Sequence, residues 1–261
     1  MLNREQDFTK EFYFFLEKFK KKENFNLLRF SDGELFMLQK KQIKLGNFFV
    51  KLDGKITGIK HFPKFDQKTY DPVKNHAFLE HLIQSFTYRS PEYFVGINCK
   101  CCVGNLNYKW QFDEHLKEDH DNLTWSNVLI NSNYPFFLKE FYPEIKKRGA
   151  NLICNIQADL TNLDWVKKDF RLGNNAFSDV TLIQTIKDYI ETNKIENEVF
   201  LFSASAFSNV AQYELGKFFK RNTYIDIGTS LSHEFGIPAE REYLLKFKEG
   251  KLSELKSCTW N

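Results

Sequence analysis

Within the six residues Arg29-Phe30-Ser31-Asp32-Gly33-Glu34 the chain places one guanidinium and two carboxylates. Apolar Leu27, Leu28 and Phe30 precede the acids, and Leu35, Phe36, Met37 and Leu38 follow them, so a buried strand from Asn26 to Phe30 runs straight into a helix. Gly33 lets the backbone turn tightly, and acids at i and i+2 can then share one hard cation. Arg29 would balance a phosphate. In an open α/β sheet, ligands bind in the crevice beyond the carboxyl ends of the strands, which is where this turn must lie. The same residues also read as an ordinary turn with Ser31 or Asp32 capping the helix.

A second strand-to-helix turn, Ser203-Ala204-Ser205-Ala206-Phe207-Ser208-Asn209, follows the apolar run Val199-Phe200-Leu201-Phe202. Its free N–H groups and the positive end of the helix suit a pyrophosphate, with Ser205 and Ser208 as candidate contacts. Ser208 could also simply cap the helix. A rival signal is Cys99-x2-Cys102-x12-His115-x4-His120, the spacing of a two-cysteine, two-histidine zinc finger. Cys99 follows an apolar strand rather than opening a hairpin. The segment from 111 to 121 is also acidic, with Asp113, Glu114, Glu118, Asp119 and Asp121 against Lys117, which excludes a nucleic-acid-reading finger. The alternative is strand-end thiols and surface histidines. Tyr108, Trp110, Trp125 and Tyr134 could stack on a sugar or base, but aromatic side chains in so aromatic a chain are more often core.

These turns need a frame, and the apolar pattern supplies one. Phe8, Phe12, Phe15 and Phe19 recur at helical spacing, so residues 1–22 read as an amphipathic helix ending in lysines that suit its negative pole. Residues 44–72 carry Gly46, Gly54, Gly58, Pro63 and Pro72 and read as a loop-rich insertion with short strands. Beyond it we expect helix 73–87, strand 93–97, helix 110–119, strand 128–130, helix 135–148, strand 151–156, helix 178–192 with Val180, Ile183, Ile186 and Ile190 inward, strand 199–202, helix 208–220 and strand 224–227. Strands alternating with helices predict an α/β, Rossmann-like fold, a largely parallel sheet with helices on both faces. Residues 1–261 are expected to form a single domain.

The chain has 261 residues, 42% of them hydrophobic and 27% charged, the balance of an ordinary globular protein. A net charge of +3 does not argue for nucleic acid. No apolar run reaches the roughly 18 residues of a membrane span. Acids at Glu5, Asp7, Glu11 and Glu17 do not fit a signal peptide, and five cysteines, an odd number, fit reduced thiols, so the cytoplasm is the expected compartment.

The first motif resembles the Arg-x-Gly-Asp-Gly-Glu signature of the GT-D-fold bacterial glycosyltransferases, whose Asp-x-Glu serves a metal-bound nucleotide sugar. Further segments agree in order. Arg171-Leu172-Gly173-Asn174-Asn175-Ala176-Phe177 is similar to the family's Arg-Leu-Gly-x-Gly-Asn-Asp-Leu-Phe segment, with Asn175 nearest the shared asparagine and one residue lost. Val210, Tyr213, Glu214 and Leu215 fall in step with its Val-x-x-Tyr-Asp-Leu helix, and Tyr224-Ile225-Asp226-Ile227-Gly228 with its Ile-Asp-Ile-Gly strand. The family's glycine-proline turn is here Ser205-Ala206, and Thr229 stands where the family has a histidine, with His233 four residues on.

The resemblance implies an inverting, metal-assisted transfer of a sugar from a nucleotide-diphosphate donor, a UDP-sugar foremost, to a saccharide or glycoconjugate, as in polysaccharide biosynthesis. Mn2+ or Mg2+ is the implied cofactor, held by Asp32 and Glu34. Arg29 would meet the diphosphate, Asn175, Ser205 and Ser208 the nucleotide or phosphates, and Asp226 and His233 the far wall. Asp159, Asp226, His233 and Glu234 are candidate bases. Two other readings stay open, a non-catalytic nucleotide- or sugar-binding module and a zinc-stabilised interaction protein.

Overall fold

The computed structural model describes residues 7–174, 177 and 179–255. In chain order, α1 (Phe8–Lys20) leads to β1 (Asn26–Arg29) and α2 (Asp32–Leu38), followed by β2 (Ile43–Leu45), β3 (Val50–Leu52), β4 (Lys55–Gly58) and β5 (Lys68–Tyr70). Next come α3 (His76–Thr87), β6 (Tyr93–Ile97), α4 (Lys100–Gln111) and β7 (Leu123–Trp125). α5 (Tyr134–Phe136) and α6 (Tyr142–Arg148) are joined by a π-helical turn into one run. The chain continues through β8 (Ala150–Asn155), β9 (Val166–Leu172), α7 (Thr181–Thr192), β10 (Val199–Ser203), α8 (Phe207–Phe218), β11 (Thr223–Asp226) and α9 (Glu242–Lys248).

Seven strands form one sheet in the order β7-β6-β1-β11-β10-β8-β9, and every pairing is parallel. Alternate residues serve opposite faces, as a strand's two-residue period requires. Leu27, Phe94, Leu152, Leu201 and Ile225 pack with Phe12, Phe15, Leu16 and Phe19 of α1. Leu28, Val95, Ile153, Phe200, Phe202 and Tyr224 pack with α3, α7 and α8 on the other face. A sheet covered on both sides needs strands that are apolar throughout, which is why these runs show no polar alternation. The expected Rossmann-like arrangement is the one observed.

The insertion is more regular than its glycines suggest. It forms an antiparallel sheet in the order β4-β3-β2-β5, and it joins the main core through Ile43 and Tyr70. Residues 128–130, read as a strand, lie instead in buried turns after β7; their apolar character reflects burial and not extension. The helix expected at 110–119 begins at Lys100, and Gly104 interrupts it with φ +75°. Val180 is exposed, whereas Ile183, Ile186 and Ile190 face inward as expected. Edge strand β9 is not among the strands the sequence predicts, because Lys167, Lys168, Asp169 and Arg171 dilute its apolar pattern. Among the described residues no helix is long and apolar enough to cross a membrane.

Candidate active site

β1, β11 and β10 are neighbouring parallel strands, so Arg29, Asp226 and Ser203 all emerge on the same rim of the sheet. β1 ends here with its following connection running to one side of the sheet while β11 lies on the other, the kind of reversal that opens a ligand crevice. Arg29 is buried, and its Nε donates to the Ser126 carbonyl. Its guanidinium fills the space over Gly228, where an added Cβ would collide with Nη1. Gly228 also has φ +52°, so two independent requirements select glycine at that point. Ser203 Oγ donates to the Gly228 carbonyl at 2.7 Å, which ties the ends of β10 and β11 together.

Asp226 is buried beside this arginine. Its Oδ1 accepts the Gly228 N–H at 2.8 Å. Burial pushes its carboxyl up to about 7, against the pull of the Arg29 charge and the Gly228 hydrogen bond, and the Glu34 charge adds to the rise. Thr229, at the position of the family's histidine, instead pairs its hydroxyl with Tyr243 Oη at 2.9 Å.

α2 starts with a capping box. Glu34 Oε2 accepts from the Ser31 N–H at 3.0 Å and also from the Ser31 hydroxyl. A glutamate at this helix position satisfies an otherwise orphaned donor, so the capping alternative read from the sequence is realised. Both of these bonds fall on one carboxylate oxygen, Oε2, and not on Oε1. Asp32 is exposed, and its Oδ1 accepts the Gly33 N–H at 3.0 Å.

The turn after β10 meets the insertion. Ser205 adopts φ +52°, a left-handed backbone at the position where the family has glycine. Its Oγ accepts from Lys68 Nζ at 2.8 Å. Asp66 is buried between two cations, with Arg241 Nη2 at 2.7 Å and Lys68 Nζ at 3.4 Å. Burial opposes the Arg241 charge, yet Asp66 and, further off, Asp32 hold its guanidinium protonated beyond its ordinary range. Ser208 does not cap α8, whose cap residue is Ala206; its buried hydroxyl accepts the Ala204 N–H at 3.3 Å and so closes the turn. Asn209, on the same helical turn, donates to the Arg29 carbonyl at 3.1 Å, while its buried Oδ1 has no hydrogen-bond partner among the described residues.

Of the residues named from sequence, Arg29, Asp32, Glu34, Asp226, Ser205 and Ser208 converge on this rim. His233 is exposed, four residues past Thr229. Asn175 lies outside the described residues. The exposed Asp159 is held by the Thr161 hydroxyl and N–H, which lower its pKa, and Glu234 accepts from Tyr142 Oη at 3.3 Å. Lys68, Asp66, Arg241 and Tyr243 carry no local sequence signal, because each reaches the rim through a contact far away in sequence. The proposed zinc quartet does not assemble. His115 is turned towards the Leu38 carbonyl and the rings of Phe86 and Trp110, and the one group of three potential metal ligands among the described residues is Cys99, Cys101 and Cys102.

The chemistry of the acidic turn can be set against what a divalent cation requires. Asp32 and the spare oxygen of Glu34 offer hard oxygen ligands, and no third protein ligand closes the set among the described residues. Such a set suits Mg2+ or Mn2+, which take their remaining ligands from phosphates and water.

No family profile and no curated protein matches this sequence. Among solved structures, the chain is similar to one described as "The highly conserved domain of unknown function 1792 has a distinct glycosyltransferase fold", at 16% identity and a TM-score of 0.50, over 87% of this chain and 81% of that chain. A selenomethionine-substituted structure of the same domain aligns over the same shares, at 16% identity and a TM-score of 0.49. The architecture implied by the short motifs is thus met in three dimensions: the chain has the glycosyltransferase-type fold of domain 1792.

Proposed function

We propose that this protein is a glycosyltransferase that moves a sugar from a nucleotide-diphosphate donor to a saccharide or glycoconjugate acceptor, with the main sheet and the insertion working as one unit. The observation that carries this reading is the meeting of an acidic turn and a cationic one on a single sheet rim. Asp32 and Glu34 stand at the end of β1, and Lys68 is bonded to the turn before α8. The diphosphate would lie against Lys68, Arg29 and the positive end of α8, where its charge is favoured. Asp32 and Glu34 Oε1 would hold Mn2+ or Mg2+, which when bound supplies charge neutralisation on the leaving diphosphate. Transfer with inversion needs a base for the acceptor hydroxyl, and Asp226 is the candidate whose proton affinity is tuned near neutrality.

Purified protein is incubated with a panel of nucleotide sugars and Mn2+, and release of nucleoside diphosphate is measured. Turnover that Asp32→Ala abolishes supports the proposal. Tight nucleotide binding with no turnover for any donor and acceptor would establish the binding module instead, a reading favoured by one observation, Thr229 at the family's histidine position. Neither binding nor turnover would sink both.

A further inference from the structure

Three thiols meet beside this rim without entering the chemistry above. Cys99 follows β6 and is the cap residue of α4, and Cys101 and Cys102 lie in the first helical turn. All three Sγ atoms fall within 4.8 Å of one another, and Cys99 Sγ is 2.9 Å from Cys101 Sγ. None is in a disulfide. The turn is held by the Cys102 and Val103 N–H groups, which donate to the Cys99 carbonyl at 3.2 and 3.3 Å, and Gly104 then breaks the helix. A self-contained turn therefore presents three sulfurs to one point, with Cys99 buried and the other two exposed.

We propose that Cys99, Cys101 and Cys102 form a three-thiolate site for one thiophilic d10 cation, Zn2+ or Cu+. Sulfurs sharing a zinc ion at about 2.3 Å each stand about 3.8 Å apart, a spacing these side chains reach by small rotations. Among the described residues three soft ligands and no hard one make up the group, which selects such ions over Mg2+ or Mn2+. Binding a metal ion releases one proton per thiol that is still protonated. Exposure of Cys101 and Cys102 gives the ion its way in. The site replaces the histidines of the zinc-finger spacing with Cys101.

The test uses the full chain, purified under reducing conditions and stripped with a chelator. Zn2+ and Cu+ are added separately, bound metal is counted by mass spectrometry, and Co2+ serves as a spectroscopic substitute with its near-ultraviolet thiolate band. We expect one equivalent of zinc or copper per chain, with affinity lowered by more than about tenfold in Cys101→Ser and in Cys102→Ser. Cys154→Ser is the control, since burial pushes that thiol up to about 11 and it sits in β8. Binding that survives both exposed-cysteine substitutions overturns the proposal. So does binding lost in His120→Ala, which would restore the finger-like set, and so does a stripped chain that takes up neither ion. Circular dichroism of each variant separates loss of a ligand from loss of fold, and donor turnover is read in the same samples, so that failure here and failure of the transferase reading are distinguishable.

Discussion

Lys68 Nζ donates to Ser205 Oγ at 2.8 Å, which fastens the last strand of the insertion to the turn that opens α8. The partner of that lysine on its other side is Asp66, itself held by Arg241. Lys68 thus carries a fixed positive charge on the rim. Lys68→Ala is expected to weaken binding of a nucleoside diphosphate about tenfold, or about 1.4 kcal/mol, while leaving the weaker binding of the bare nucleoside unchanged. Calorimetric titration of both ligands decides it, and an equal loss for both would remove Lys68 from phosphate recognition.

Gly228 leaves room for the Arg29 guanidinium. Gly228→Ala should cost about 1–2 kcal/mol through its left-handed backbone alone and should also displace Arg29. A chain of this size then melts several degrees lower, and donor affinity falls with it. Denaturant unfolding gives the first quantity. Unaltered donor affinity in a destabilised variant would show that Arg29 does not meet the ligand.

Glu34→Gln keeps a side chain able to accept from Ser31 and removes its charge. The unliganded melting point is therefore expected to stay nearly constant while the Mn2+-dependent thermal shift with nucleotide disappears. Glu34→Ala, which loses the cap as well, should cost about 1 kcal/mol in addition. If the glutamine variant shifts as far as the parent, Glu34 is a cap and nothing more.

Asp226 yields a prediction with a definite sign. Its folded pKa of about 7 lies above the ordinary carboxylate value of 3.8, so between these values the folded chain holds a proton that the unfolded chain has released. Stability is then greatest below about pH 4 with respect to this group and is lost as pH rises towards 7 and beyond, by up to about 4 kcal/mol before relaxation. Asp226→Asn should flatten that slope, so that its melting point gains on the parent's as pH increases from 5 to 8. If Asp226 is the base, turnover of the parent rises through about pH 7 and the variant has lost it. Parallel melting curves at all pH values would contradict the buried, near-neutral carboxyl.

How far the sequence reaches depends on the range of the interaction. The acidic turn was legible because strand, cap and helix follow one another within a dozen residues and each obeys a local rule, although Gly33 is an ordinary residue of α2 and not the tight turn expected of it. β9 was not, since an edge strand exposed to water tolerates Lys167, Lys168 and Asp169 and so loses the apolar signature of its neighbours. Residues 128–130 misled for the opposite reason, being buried in turns. Asp66 and Lys68 come from the insertion expected to hold loops and short strands, and their link to Arg241 arises from a contact across 175 positions. The crowding of cysteines at 99, 101 and 102 is plain in the sequence and suits reduced thiols, but a spacing rule that looks ahead to His115 and His120 draws the metal reading away from Cys101.

The capping box of α2 has one more consequence. A free glutamate on a surface samples many rotamers and must surrender them when it grips an ion, at a cost of about 0.5–1.5 kcal/mol. Here folding has already stilled the side chain, because Ser31 grips one oxygen and so aims the other. Whatever docks on that second oxygen meets a ligand immobilised in advance, and the start of a helix has done the work of preorganisation.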